Sequence, residues 1–145
     1  VHASGGMAMM QAARKAIDAY GAARPILIAV TVLTSFNQNE LTSIGINTPI
    51  VDHVNKLAIL TKESGLDGVV CSAQEVNVIK RECGNQVITV TPGIRLTSDS
   101  KDDQSRVLTP KQAIAEGSDY LVIGRPITQA SNPEAVVAEI LKSIQ

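Results

Sequence analysis

Aromatic side chains are nearly missing from this sequence. Its 145 residues hold no Trp, one Phe (Phe36) and two Tyr (Tyr20 and Tyr120). That leaves little from which to build stacking platforms for single-stranded nucleic acid or sugar rings. Cysteine is almost as scarce. Cys71 and Cys83 stand twelve residues apart with no C-x-x-C and no clustered histidine. The pattern supports neither a disulfide framework nor a zinc site, and reduced thiols in a cytoplasm are the simplest expectation. An excess of one charge is also lacking: 13 Lys plus Arg against 14 Asp plus Glu give a net charge of −1. No long-range field therefore draws the chain toward phosphate polymers or anionic lipid. The longest unbroken apolar run, Ile26 to Val30, is five residues. A bilayer needs roughly 20, and no basic-then-apolar leader precedes the run. Neither nucleic acid nor a membrane is an expected partner.

What is present is ordinary globular material, 44% hydrophobic and 19% charged, enough to pack a core. Without an initiator Met, the chain opens at Val1 and runs directly into His2-Ala3-Ser4-Gly5-Gly6, as though cut at the end of a strand. The expectation is part of a longer protein, with residues 1–145 forming one unit.

Hydrophobic periodicity alternates between strand and helix. After the stub and its Gly-Gly turn, Met10, Ala13, Ile17 and Tyr20 recur at three and four, predicting a helix from about Met7 to Tyr20. Ile26 to Leu33 is almost continuously apolar and β-branched, the pattern of a strand buried on both faces of a parallel sheet. A short helix near Gln38 to Ile44 and a longer one from Pro49 to Ser64 follow. Pro49 suits the first helical position and Gly65 the position past the end. Asp67 to Cys71 reads as a strand, and Ser72 and Glu75 have the spacing of a capping box for a helix to Cys83. Val87 to Val90 is the next strand, with a polar loop from Thr91 reaching Leu108. Thr109-Pro110 caps a helix ending at Gly117, Tyr120 to Ile123 is the last strand, and Asn132-Pro133 caps the terminal helix. Alternation of this kind implies a parallel sheet covered by helices, either doubly wound or a closed (β/α)₈ barrel. No G-x-G-x-x-G follows the first strand, and a barrel typically needs about 250 residues. If it is a barrel, this chain is its C-terminal part.

Both architectures place chemistry where strands end, so the junctions carry the functional reading. His2 before Gly5-Gly6 is a polar group at a strand mouth, or a hydrogen-bonded histidine beside a turn. His53, inside a helix, reads as structural. Thr34 and Ser35 set two hydroxyls at the mouth of the long strand, where they could bind an amide or phosphate, or cap the next turn. The informative pair is Thr91-Pro92-Gly93-Ile94-Arg95 and Ile123-Gly124-Arg125-Pro126. Two arginines at consecutive strand mouths, each near a glycine whose backbone can approach a ligand, match a phosphate clamp. Leu96 to Val107, which includes Gln104, has the length of a lid or of a plain surface loop. Asp99-Ser100-Lys101-Asp102-Asp103 imitates an acid–lysine proton-transfer array, but a loop offers nothing to desolvate the lysine, and no catalytic role is expected there.

Taken together, Val1 to Gly6, Thr31 to Ser35, Gly65 to Ser72, Val90 to Arg95 and Val122 to Pro126 resemble the bacterial-type orotidine 5′-monophosphate decarboxylases along the whole chain. The resemblance implies a (β/α)₈ barrel, of which residues 1–145 would be the portion from the end of strand four through strand eight. It implies a homodimeric, cytoplasmic enzyme of pyrimidine biosynthesis that removes the C6 carboxylate of orotidine monophosphate to give UMP, without metal or organic cofactor. By position, Thr34 would contact the nucleotide and Ser35 would lie near the pyrimidine amide. Arg95 and Gln104 would grip the phosphate, while Gly124 through its N–H and Arg125 through its guanidinium would complete the clamp. The family's Asp-x-Lys-x-x-Asp array, which supplies the lysine proton donor, has no counterpart among these residues. It is expected upstream of Val1, and the isolated chain is expected to be inactive. Two other readings remain open: a barrel acting on a sugar phosphate, as in keto-gulonate phosphate decarboxylases, and a non-catalytic phosphate-binding or self-associating module.

Overall fold

The computed structural model describes residues 1–96 and 106–145. Four strands form one parallel sheet in chain order: β1 (Ile28–Val30), β2 (Gly68–Val70), β3 (Ile88–Thr91) and β4 (Tyr120–Leu121). The stub joins it through a parallel bridge between His2 and Val30, with the Val30 N–H donating to the Val1 carbonyl at 2.9 Å. Strand order does not reverse among the described residues. A doubly wound sheet would show such a reversal at its ligand crevice, whereas winding in a single direction is the barrel pattern.

Seven α-helices are described: α1 (Gly6–Asp18), α2 (Gln38–Ser43), α3 (Ile50–Glu63), α4 (Val76–Cys83), α5 (Pro110–Ala115), α6 (Arg125–Thr128) and α7 (Pro133–Ser143). Met10 of α1, Val54 and Ala58 of α3, and Ile79 of α4 bury themselves with Ala29 and Val69 of the sheet. Ile94, Ala73 and Ala113 make a second cluster, packed by Leu108 and Leu121, below the mouths of β3 and β4. Capping is as read at Ser72, whose side chain accepts from the Gln74 N–H, although the box opens a 3₁₀ turn, Ala73–Glu75, before α4. The box at Thr109 also forms, and Asn132 caps α7. Pro49 is the N-cap of α3 rather than its first residue.

Two expectations for the long apolar run are corrected. The ladder takes only Ile28–Val30, and Ile28 and Val30 are half-buried while Ala29 is fully buried. The strand is therefore covered by helices on one face and only partly on the other. It is short because side chains claim the backbone at both ends: the Leu27 N–H donates to Asp67 Oδ2 at 2.7 Å, and Arg106 donates to the carbonyls of Val32 and Leu33. At Gly68 a Cβ would collide with the Ile88 carbonyl, so β2 and β3 can approach this closely only with glycine there.

Aspartates pin the amino ends of the strands. Asp67, one residue before β2, accepts from Arg24 Nη1 and Nη2 at 2.7 and 2.8 Å, and from the Leu27 N–H. Asp119, one residue before β4, repeats the device with the Thr89 N–H at 2.7 Å and Lys80 Nζ at 2.6 Å. Burial pushes the Asp119 carboxyl up, but the hydrogen bonds from Lys80 and Thr89 outweigh it and the net direction is down. The Arg24 hydrogen bonds hold Asp67 down to about 2, with the Leu27 N–H assisting and burial opposing. A carboxyl depressed in the folded state stabilises fully above its unfolded value, and that contribution is lost as pH falls through the folded value. Urea titrations should therefore show the chain losing about 1–2 kcal/mol between pH 4 and 2 that Asp67→Asn does not lose, allowing for solvent screening. Equal acid sensitivity of the two proteins would refute this role.

Candidate functional site

The carboxyl ends of β1, β3 and β4 meet around a recess of about 170 Å³. Thr34, Gly93, Arg95, Gly124 and Arg125 line it. Sites that enclose a whole drug-sized ligand run roughly 300–1,000 Å³, so this one suits a terminal group rather than an entire nucleotide.

Each wall follows from local sequence. Gly93 has φ +76°, a left-handed conformation that glycine adopts without steric penalty. It turns the chain so that Ile94, fully buried, bridges Leu108, and the Arg95 N–H donates to the Leu108 carbonyl at 3.1 Å. Arg95 is thereby held at the recess although only 7% exposed. Its Nη1 donates to the Ile94 carbonyl at 3.0 Å, while Nε and Nη2 are buried without a hydrogen-bond partner among the described residues. Buried donors left unpaired are unfavourable by about 1–3 kcal/mol each, and a bound oxyanion would satisfy both with forked, charge-assisted bonds.

On the opposite wall, Gly124 starts a one-turn helix, α6, accepting from the Ile127 and Thr128 N–H groups at 2.9 and 3.0 Å. The sequence reading has no helix here, because four residues are too few to show a period. A Cβ on Gly124 would meet nothing within 4 Å, so the backbone there stands open to approach. Thr34, buried at the exit of β1, completes the recess. Ser35, half-buried, follows it but does not line the recess. Gln104 and Asp99 to Asp103 lie outside the described residues. The structure thus brings together Thr34, Arg95, Gly124 and Arg125.

Sequence reasoning missed Arg106. Its guanidinium is buried, ion-paired with the buried carboxylate of Glu75, and donates from Nη2 to the Leu33 carbonyl at 2.9 Å and the Val32 carbonyl at 3.3 Å. Burial lowers Arg106 from the usual guanidinium range and pushes the Cys71 thiol up to about 12. Cys71 is therefore a neutral, enclosed thiol at ordinary pH, unsuited to nucleophilic work. His2 and His53, treated separately in the sequence, line one largely apolar recess of about 210 Å³ beside Phe36. A wider recess of about 540 Å³ lies at the other end, near Lys80 and Asp119. Lys80 is already held there by Asp119 and by the carbonyls of Val87 and Asn85, so it offers an incoming anion no spare donor.

A parallel β/α sheet wound in one direction, with guanidinium groups around a recess at the carboxyl ends of its strands, defines the class: a barrel-type α/β protein with an anion-suited rim. The family model for the orotidine 5′-phosphate decarboxylase / HUMPS family matches residues 1–140, and the chain belongs to that family. It is 61% identical over 144 residues to the orotidine 5′-phosphate decarboxylase of Legionella pneumophila (strain Paris), covering 99% of this chain and 63% of that protein. Identity to the orotidine 5′-phosphate decarboxylase of Vibrio cholerae serotype O1 (strain M66-2) is 57%, covering 99% of this chain and 62% of that protein. The crystal structure of orotidine 5′-phosphate decarboxylase from Lactobacillus acidophilus superimposes with a TM-score of 0.82 at 38% identity, covering 100% of this chain and 62% of that one. The structural neighbours are (β/α)₈ barrels, of which this chain matches part. The chain spans about 63% of the length of the curated relatives it matches. No helix among the described residues is long and apolar enough to cross a membrane.

Proposed function

We propose that this chain carries the phosphate-binding side of an orotidine 5′-monophosphate decarboxylase, which releases the C6 carboxylate of its substrate to give UMP and works as a cytoplasmic homodimer without metal or organic cofactor. One observation carries the reading: Arg95 presents two buried guanidinium nitrogens, without a hydrogen-bond partner among the described residues, at the recess that Arg125 and Gly124 also line. In this assignment Arg95 and Arg125 grip the phosphate, the Gly124 N–H and Gln104 add donors, and Thr34 and Ser35 face the nucleoside. Binding energy from the remote phosphate is what such a site can apply to the reacting carbon. The Asp-x-Lys-x-x-Asp array of that chemistry is not found in the 145 residues, so on this reading they bind nucleotide without decarboxylating it.

Calorimetric titration with UMP tests the assignment. The chain binds UMP, shows no turnover of orotidine monophosphate, and loses affinity at least about tenfold in Arg125→Ala, the loss of one charge-assisted contact. Binding indifferent to Arg125 would transfer the chain to a non-catalytic class.

A further inference from the structure

Arg95 and Thr34 approach the recess from different strands, and the short stretch Arg106 to Leu108 touches the supports of both. Leu108 accepts from the Arg95 N–H, and Arg106 donates to the carbonyls of Val32 and Leu33, the two residues immediately before Thr34. The Arg106 carbonyl in turn accepts from Ser72 Oγ at 3.2 Å, and Ser72 donates its N–H to Glu75 Oε2 at 2.8 Å. The buried Arg106–Glu75 pair therefore ties the exits of β1 and β2, and the backbone two residues on, at Leu108, carries the link to the exit of β3. An apolar pair of the same volume would usually serve stability as well or better, because the desolvation of both charges would be avoided. Apolar side chains, however, cannot satisfy the two carbonyls of an irregular strand exit.

From this juxtaposition we infer that Arg106, held by Glu75, is a positioning residue that sets the β1 exit so that Thr34 and Ser35 meet the nucleoside part of the ligand. The inference rests on the phosphate-clamp reading above and assigns it a second, separable component. The clamp holds the phosphate, and the β1 exit discriminates what is attached to it.

The test compares UMP with ribose 5-phosphate, which keeps the phosphate and lacks the base. Dissociation constants for both are measured on the full chain, on Arg106→Lys, and on Arg106→Met/Glu75→Gln, which removes the charges together and leaves no buried carboxylate unpaired. Circular dichroism checks that each is folded. The unaltered chain prefers UMP. In the double variant UMP affinity falls about tenfold while ribose 5-phosphate affinity changes less than about twofold, and Arg106→Lys, which keeps the charge, recovers part of the preference. A parallel loss of both ligands, as general loosening would give, or an unchanged ratio in the variants, overturns the inference and leaves the clamp standing. Failure of the unaltered chain to bind either ligand overturns both.

Discussion

Arg95→Met moves binding and stability in opposite directions. UMP affinity falls by about 10²–10³-fold, the effect of removing one partner from a desolvated, hydrogen-bonded charge pair. Unfolding free energy of the unliganded chain rises by about 1 kcal/mol. In the free fold Arg95 is 7% exposed, with Nε and Nη2 lacking hydrogen-bond partners among the described residues. Replacing a guanidinium in that condition by an unbranched apolar chain of similar reach removes the unsatisfied donors and keeps most of the packing. Such a trade of stability for binding is the expected mark of a ligand-dedicated residue. Urea unfolding and UMP calorimetry on the same preparation read both signs. A variant that loses stability as well as binding would show that Arg95 supports the fold, and the clamp would lose its main support.

The meeting of Arg95 and Arg125 at one recess was legible in the sequence because the signal is local: an arginine within two residues of a glycine, just past an apolar β-branched run, occurs twice in succession. The helix ends were legible for a similar reason, since Ser72 with Glu75 and Thr109 with Gln112 carry capping chemistry within four residues. The extent of β1 was not. Its ends are decided by Asp67 and Arg106, which lie about 40 and 73 residues away in sequence, and periodicity cannot see a side chain that arrives from another element. Glu75 shows the same limit. Its spacing from Ser72 announced a cap, and one carboxylate oxygen does serve that purpose, but the other faces Arg106. Nothing local to Arg106, in a stretch rich in Ser and Asp, marks it as buried. The one-way strand order also separated barrel from doubly wound sheet only once pairings were known.

Glu75→Ala is the most destabilising single change expected. It leaves the Arg106 guanidinium buried without its counter-charge, an effect of about 3–5 kcal/mol, and it also removes the acceptor for the Ser72 N–H. Against a total stability of roughly 5–15 kcal/mol, that lowers the melting temperature by about 10 °C or more. Arg106→Met/Glu75→Met, which deletes both charges, should recover much of the loss, so that the double variant is more stable than Glu75→Ala alone. If the two unfold together, the damage comes from the lost cap and not from a stranded charge, and the positioning role of the pair loses its physical basis. The contrast with Arg95 sharpens the point. Both arginines are buried to the same degree, at 7% and 8% exposure, yet Arg106 meets a carboxylate and two carbonyls within the fold while Arg95 spends a single nitrogen on its neighbour's carbonyl. Stabilisation by Arg95→Met beside destabilisation by Glu75→Ala, which strands Arg106, would therefore separate the arginine that holds the mouth of the sheet in shape from the one proposed to meet the anion.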